Sequence, residues 1–121
     1  HTKKRDSMSK ASREKGKRWE RDVTNRLKKS HGEHVKRTGW MQAGAEMPDV
    51  HSPPFFIECK VGKQPRLMAA LEQAREGLDR HMKLKDPDPF KYPVVIAKFD
   101  RQEPVVLMTL SAFEELTNAA D

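Results

Sequence analysis

The segment "MPDVHSPPFFIECKVG", Met47 to Gly62, holds three residues whose types and spacing can do chemistry: Asp49, Glu58 and Lys60. In an extended strand, side chains alternate faces. Within "FFIECKV", Ile57, Cys59 and Val61 therefore point one way and Phe56, Glu58 and Lys60 the other. Both faces are apolar where the strand begins, as in a sheet covered by helices on both sides, and only the far end of one face turns polar. A carboxylate and an ammonium beside apolar cover are costly unless paired or used, which marks the pair as a candidate site.

A tight connection at "HSPP" lets the preceding residues fold back on this strand. With the turn centred on Ser52 and Pro53, Asp49 lies opposite Phe56, on the face of Glu58 and one diagonal away, at roughly 7–8 Å between backbone positions. A one-residue change of register would turn Asp49 to the other face. Two carboxylates and a main-chain carbonyl, here that of Cys59, suit a hard divalent cation such as Mg²⁺, which keeps several waters, and Mn²⁺ is expected to substitute. A cation so held polarises a phosphate oxygen and acidifies a bound water. Lys60 beside it can orient that water or offset developing negative charge.

A third acid comes from the helix predicted over "SREKGKRWERDVTNRLKKS", Ser12 to about Ser30, where Trp19, Val23 and Leu27 recur at helical spacing. Gly32 stops this helix, and Lys28 and Lys29 suit its last turn. Glu20 falls at the border of the buried stripe. It either faces the end of the sheet or is an ordinary surface glutamate paired with Lys17 or Arg21.

The remaining elements follow from periodicity and turn residues. "EHVKRTG" is a short strand closed by Gly39, and "WMQAGAEM" a loop in which Trp40 either stacks on a base or caps the core. A second amphipathic helix carries Leu67, Ala70, Leu71, Ala74 and Leu78 and runs to about Arg80. "KLKDPDPFKYP" is too rich in proline for regular structure and is expected as an exposed loop. "PVVIAKF" and "PVVLMTL" read as core strands joined in a hairpin, and Ser111 with Glu114 as the capping box of a last helix. The order α-β-β-β-α-β-β-α describes an α/β fold with a mixed central sheet of about five strands flanked by helices.

The chain has 121 residues, which suits one domain; residues 1–11 read as a basic tail, disordered or tag-derived with Met8 available as a start, and 12–121 as the domain. Its net charge of +6 is uneven: residues 1–40 carry fourteen Lys or Arg against five Asp or Glu, and residues 41–121 ten against thirteen. A polyanionic partner is therefore expected at the N-terminal third. The single cysteine, Cys59, excludes an intrachain disulfide and a cysteine-based zinc site, and the five histidines lack metal-motif spacing, which fits a cytoplasmic protein. No apolar run approaches the roughly 20 residues of a membrane span.

Taken together, "KGKRWERDV" with Glu20, "RTGWMQAGAEMPDV" leading to Asp49, and "FFIECKV" with Glu58-x-Lys60 resemble the PD-(D/E)XK nuclease superfamily. Within it they are similar to the archaeal-type Holliday junction resolvases of archaea and phages, with Thr38 where the resolvases carry a loop serine. The resemblance implies a restriction-endonuclease-like core, Mg²⁺ on Asp49 and Glu58, Lys60 assisting the attacking water and Glu20 completing the acidic site. It also implies a homodimer that nicks four-way DNA junctions to leave 5′-phosphates, and Gln73 is similar to a glutamine that several branches place near the metal. Lys15, Lys17, Arg18, Lys36, Arg37 and Thr38 are the candidate DNA contacts. Two other readings remain: a related nuclease acting on flaps, ends or linear duplex, and a non-catalytic DNA-binding domain.

Overall fold

The computed structural model describes residues 9–38 and 47–118. The expectations for the basic tail, Gly39, Trp40 and the small-residue loop through residue 46 lie outside the described residues.

The first helix, α1, spans Lys10–His31, with Trp19, Val23 and Thr24 as its buried residues. It begins two residues earlier than expected because Ser9 supplies the cap: its hydroxyl accepts the Ser12 N–H at 3.0 Å. At the other end the Gly32 N–H donates to the Lys28 carbonyl. Gly32 has φ +122°, and a Cβ there would meet the His34 ring at 3.0 Å, so the stop requires glycine. Among the described residues, no helix is long and apolar enough to cross a membrane.

Five strands follow in sheet order: β1 Lys36–Arg37, β2 Val50–Ser52, β3 Phe55–Gly62, β4 Tyr92–Phe99 and β5 Val105–Leu107. All neighbours are antiparallel except β3 and β4, which run parallel and are joined by α2, Leu67–His81. A parallel pair cannot be closed by a tight turn, and a helix supplies the crossover. A last helix, α3, covers Leu110–Leu116. The α-β-β-β-α-β-β-α order and the five-stranded mixed sheet match the fold expected from the sequence, consistent with a restriction-endonuclease-like core.

Helices cover both faces, and strand alternation sorts the core accordingly. Against α1 lie Val50, Ile57, Tyr92 and Val94, packed with Trp19 and Val23. The opposite face holds Phe56 with Ala74, Leu78 and Phe90, and Val95 and Ala97 with Ala70 and Leu71. The alanines of α2 let the helix sit close on the sheet. The Trp19 indole N–H donates to the Ile96 carbonyl at 3.2 Å, which satisfies its one polar group and pins α1 to β4.

Four expectations change. The β2–β3 turn centres on Pro53–Pro54, with Ser52 opposite Phe55, rather than on Ser52–Pro53; neither proline can donate to a ladder, so both occupy the loop. The proline-rich segment is not wholly exposed, because Phe90 is buried edge-on against Phe56 with ring centroids 5.2 Å apart. β5 is an edge strand of three residues, with Val105 44% and Val106 58% exposed, and not a core strand. Thr109, not Ser111, caps α3, accepting the Ala112 N–H at 3.1 Å.

Phe56 is fully buried and touches α2, His81 and Phe90. Phe56→Ala is expected to cost about 3–5 kcal/mol in urea unfolding; a loss below ~1 kcal/mol would contradict this packing.

Candidate active site

Asp49 stands just before β2, where the ladder with β3 ends irregularly. Val50 pairs with Ile57, yet the Asp49 N–H also donates to the Ile57 carbonyl, at 2.8 Å. Two residues of one strand thus face one of the other, the arrangement of a β-bulge, which re-aims a side chain. The Asp49 carboxylate turns onto β3 and accepts the Cys59 N–H at 2.8 Å, while its own carbonyl accepts the Thr38 N–H at 3.1 Å. The Thr38 hydroxyl donates to the Pro48 carbonyl. The expected diagonal from Asp49 to Glu58 is therefore corrected. The register lies two residues further along and the bulge sets Asp49 outside the regular ladder, so its side chain is placed by its bonds to the Cys59 N–H and to Glu58.

Glu58 is 7% exposed, on the central strand next to Val95 of β4. Burial pushes its carboxyl up to about 8; the neighbouring Asp49 charge and a hydrogen bond to the Asp49 side chain add to the rise, against the opposing pull of Lys60. Like charges so close resist joint ionisation, which holds the proton on Glu58. Glu20 on α1 is half-buried and also raised, first by burial and then by Asp49. Its Oε1 accepts from Arg37 Nε at 3.0 Å. Glu20 thus faces the acid pair with a counter-ion attached. The Cys59 thiol, packed against the core on the α1 side, is raised well above its ordinary value by burial and then by the Asp49 charge.

The other sequence candidates fall into distinct places. Lys60 lines a cavity of about 280 Å³ with Arg66, Ala69, Ala70 and Gln73, so Gln73 reaches the lysine end of the site. Arg66 had no signal in the sequence beyond following the strand closely. Arg37 is engaged by Glu20 and Thr38 is buried with its hydroxyl turned inward, whereas Lys17 and Lys36 are exposed. Lys15 and Arg18 border a separate groove against the end of the sheet.

A divalent cation fits this donor set. Among the described residues no three Asp, Glu, His or Cys side chains converge as a metal cluster. Asp49 and Glu58 do form a close pair with excess negative charge, and Mg²⁺ needs only one or two carboxylates because it keeps its waters. A cation there would reverse the cause of the raised Glu58 carboxyl.

The folded-state value of Glu58 lies above its ordinary value of 4.5. Its contribution to stability is thus present below pH 4.5 and lost as pH rises toward 8, by about 3–5 kcal/mol. Thermal unfolding in EDTA is expected to show this decline, and Glu58→Gln to flatten it. Mg²⁺ should raise the melting temperature more at pH 8 than at pH 5.5; an equal effect at both would count against a cation on the pair.

The family described as "Phage putative PDDEXK endonuclease" matches residues 11–120, nearly the whole chain. No curated protein and no solved structure matches it.

Proposed function

Because this chain belongs to the phage PDDEXK endonuclease family, we propose that it is a Mg²⁺-dependent, structure-selective DNA endonuclease whose preferred substrate is a four-way junction. The observation that supports it best is the pairing of Asp49 with the buried Glu58, with Lys60 two residues further along the same strand. Asp49, Glu58 and the Cys59 carbonyl would hold the cation, which supplies a Lewis acid at the scissile phosphate and acidifies an attacking water. Lys60 stands on the same strand face as Glu58, where its ammonium orients the water and offsets charge that builds on the phosphoryl oxygens. Asp49 is positioned by the Cys59 N–H, so its carboxylate needs no reorganisation as substrate arrives. Glu20, paired with Arg37, completes the acidic site from the helix. The expected products are nicks with 5′-phosphate ends, made in the cytoplasm of a prokaryotic or phage-infected cell.

Paired nicks across a junction need two such sites, hence a homodimer. Val105, Val106, Leu110, Phe113 and Leu116, exposed on β5 and α3, are an apolar surface available for it. Val106→Lys with Phe113→Lys should leave a monomer by light scattering, and a wild type that is already monomeric at all concentrations would remove the dimer.

A second reading is favoured by Thr38. Its hydroxyl is committed to Pro48, so it is not presented to DNA as a loop serine would be. On that reading the chemistry is unchanged and the substrate is a flap, an end or a linear duplex.

With Mg²⁺ and a four-way junction beside a linear duplex of the same sequence, the junction is expected to be nicked selectively. Equal cleavage of both would remove the junction preference, and no cleavage of any DNA would leave only a binding domain. Asp49→Asn, Glu58→Gln and Lys60→Ala should each lower cleavage by about 10²–10³-fold while DNA is still bound; a variant that cuts at the wild-type rate loses its assigned role.

A further inference from the structure

Away from the carboxylates, a groove of about 360 Å³ runs between α1 and the end of the sheet, lined by Lys15, Arg18, Trp19 and Asp22 on one side and Val61, Lys98, Asp100 and Arg101 on the other. Four cationic side chains face two carboxylates there. Lys15 is held by Asp100, Nζ to Oδ1 at 3.0 Å, which ties α1 to the β4–β5 turn. Arg26 and Glu103, at 3.4 Å, make a second tie between the same two elements. Among the described residues, Arg18, Lys98 and Arg101 have no such partner. Three cations thus converge on one open groove whose walls are fixed without them.

Arg101 is the further anomaly. It has φ +63°, the left-handed region, and is the one non-glycine residue so placed among the described residues. Glycine or asparagine takes this turn position at less cost, and an arginine there carries strain of order 1 kcal/mol. The turn that bears it is anchored by the Asp100 N–H to the Gly62 carbonyl and the Gln102 N–H to the Phe99 carbonyl, at 3.0 and 3.1 Å.

The groove and the carboxylates share two elements. Val61 follows Glu58 by three residues on β3, about 10 Å along the strand, and Arg18 precedes Glu20 by two on α1. Val61 turns its side chain to the α1 face and Glu58 to the α2 face, so the groove and the acid pair lie on the two faces of one strand.

We propose that this groove is a binding site for the sugar-phosphate backbone of DNA flanking the cleaved bond, with Arg18, Lys98 and Arg101 as the phosphate contacts. The proposal rests on the nuclease reading and adds Lys98 and Arg101 to the DNA surface. Phosphate contacts of this kind set register and orientation without reading sequence. The strained Arg101 holds its guanidinium across the groove from Arg18, so the backbone passes between two elements already clamped together by the paired ions.

The test is DNA binding in EDTA, followed by fluorescence anisotropy over a series of KCl concentrations. Arg18→Ala with Arg101→Gly should weaken binding and flatten the slope of log affinity against log salt by about 1.8, or ~0.9 per lost contact. Lys83→Ala with Lys85→Ala, exposed at the far end of α2, should leave the slope unchanged. Arg101→Gly alone should raise the melting temperature while lowering affinity, opposite signs that a merely structural residue would not produce. A wild type that binds and cleaves DNA, with an unaltered slope in the groove variant or an equal change in the Lys83/Lys85 variant, overturns the groove alone. A wild type that neither binds nor cleaves DNA overturns both readings.

Discussion

One hydrogen bond organises the centre of this molecule: the Cys59 N–H to the Asp49 carboxylate. Beyond Val50 the β2–β3 ladder can no longer offer regular main-chain acceptors, because the bulge at Asp49 sends its N–H to Ile57 and Pro48 turns its carbonyl to Thr38. An unpaired N–H in the middle of a covered sheet would carry a desolvation cost of about 1–3 kcal/mol. The aspartate side chain removes that cost and is thereby held against Glu58. Satisfaction of the backbone and assembly of the charged site are the same event.

The consequence is stored electrostatic tension. A nearly buried glutamate beside an aspartate holds a proton far above its usual range, and Lys60 only partly offsets this. Such an arrangement is unfavourable for the fold taken alone and favourable for anything that brings positive charge. Glu20 adds to the negative field from the helix, tempered by Arg37. The rest of the structure makes the tension tolerable: Phe56, Val95 and the alanines of α2 bury the neighbouring positions, and Trp19 fixes α1 to β4 through the Ile96 carbonyl. Helix α1 thus serves two surfaces, with Glu20 directed to the acids and Lys15 and Arg18 to the basic groove.

Much of this was legible in the chain. The 3.6-residue spacing of Trp19, Val23 and Leu27 located α1 and set Glu20 at the border of its buried stripe. The two-residue alternation of "FFIECKV" separated Glu58 and Lys60 from Ile57, Cys59 and Val61, and the cores follow that division. The misses have physical causes as well. Spacing alone fits a turn on Ser52–Pro53, but two consecutive prolines, neither able to donate to a ladder, form the loop themselves one residue later. β5 reads as core because its composition is apolar, whereas its place at the edge of the sheet, paired with β4 alone, leaves Val105 and Val106 exposed. Phe90 reads as part of a polar loop, since nothing in "DPDPFKYP" says that its ring fills the space beside Phe56.

By itself, then, the sequence determined the kinds of element, their order, and which residues of each share a face, because periodicity is a local property of the backbone. Tertiary structure alone decided that Asp49 would accept a β3 amide through a bulge and that Arg37 would pair with Glu20. It also decided that Lys98 and Arg101 would meet Arg18 across a groove. Those meetings join residues from 10 to more than 80 positions apart, and no local rule governs them. They are fixed by register, by the reach of side chains across the sheet, and by the need to satisfy every buried polar group once the chain has closed.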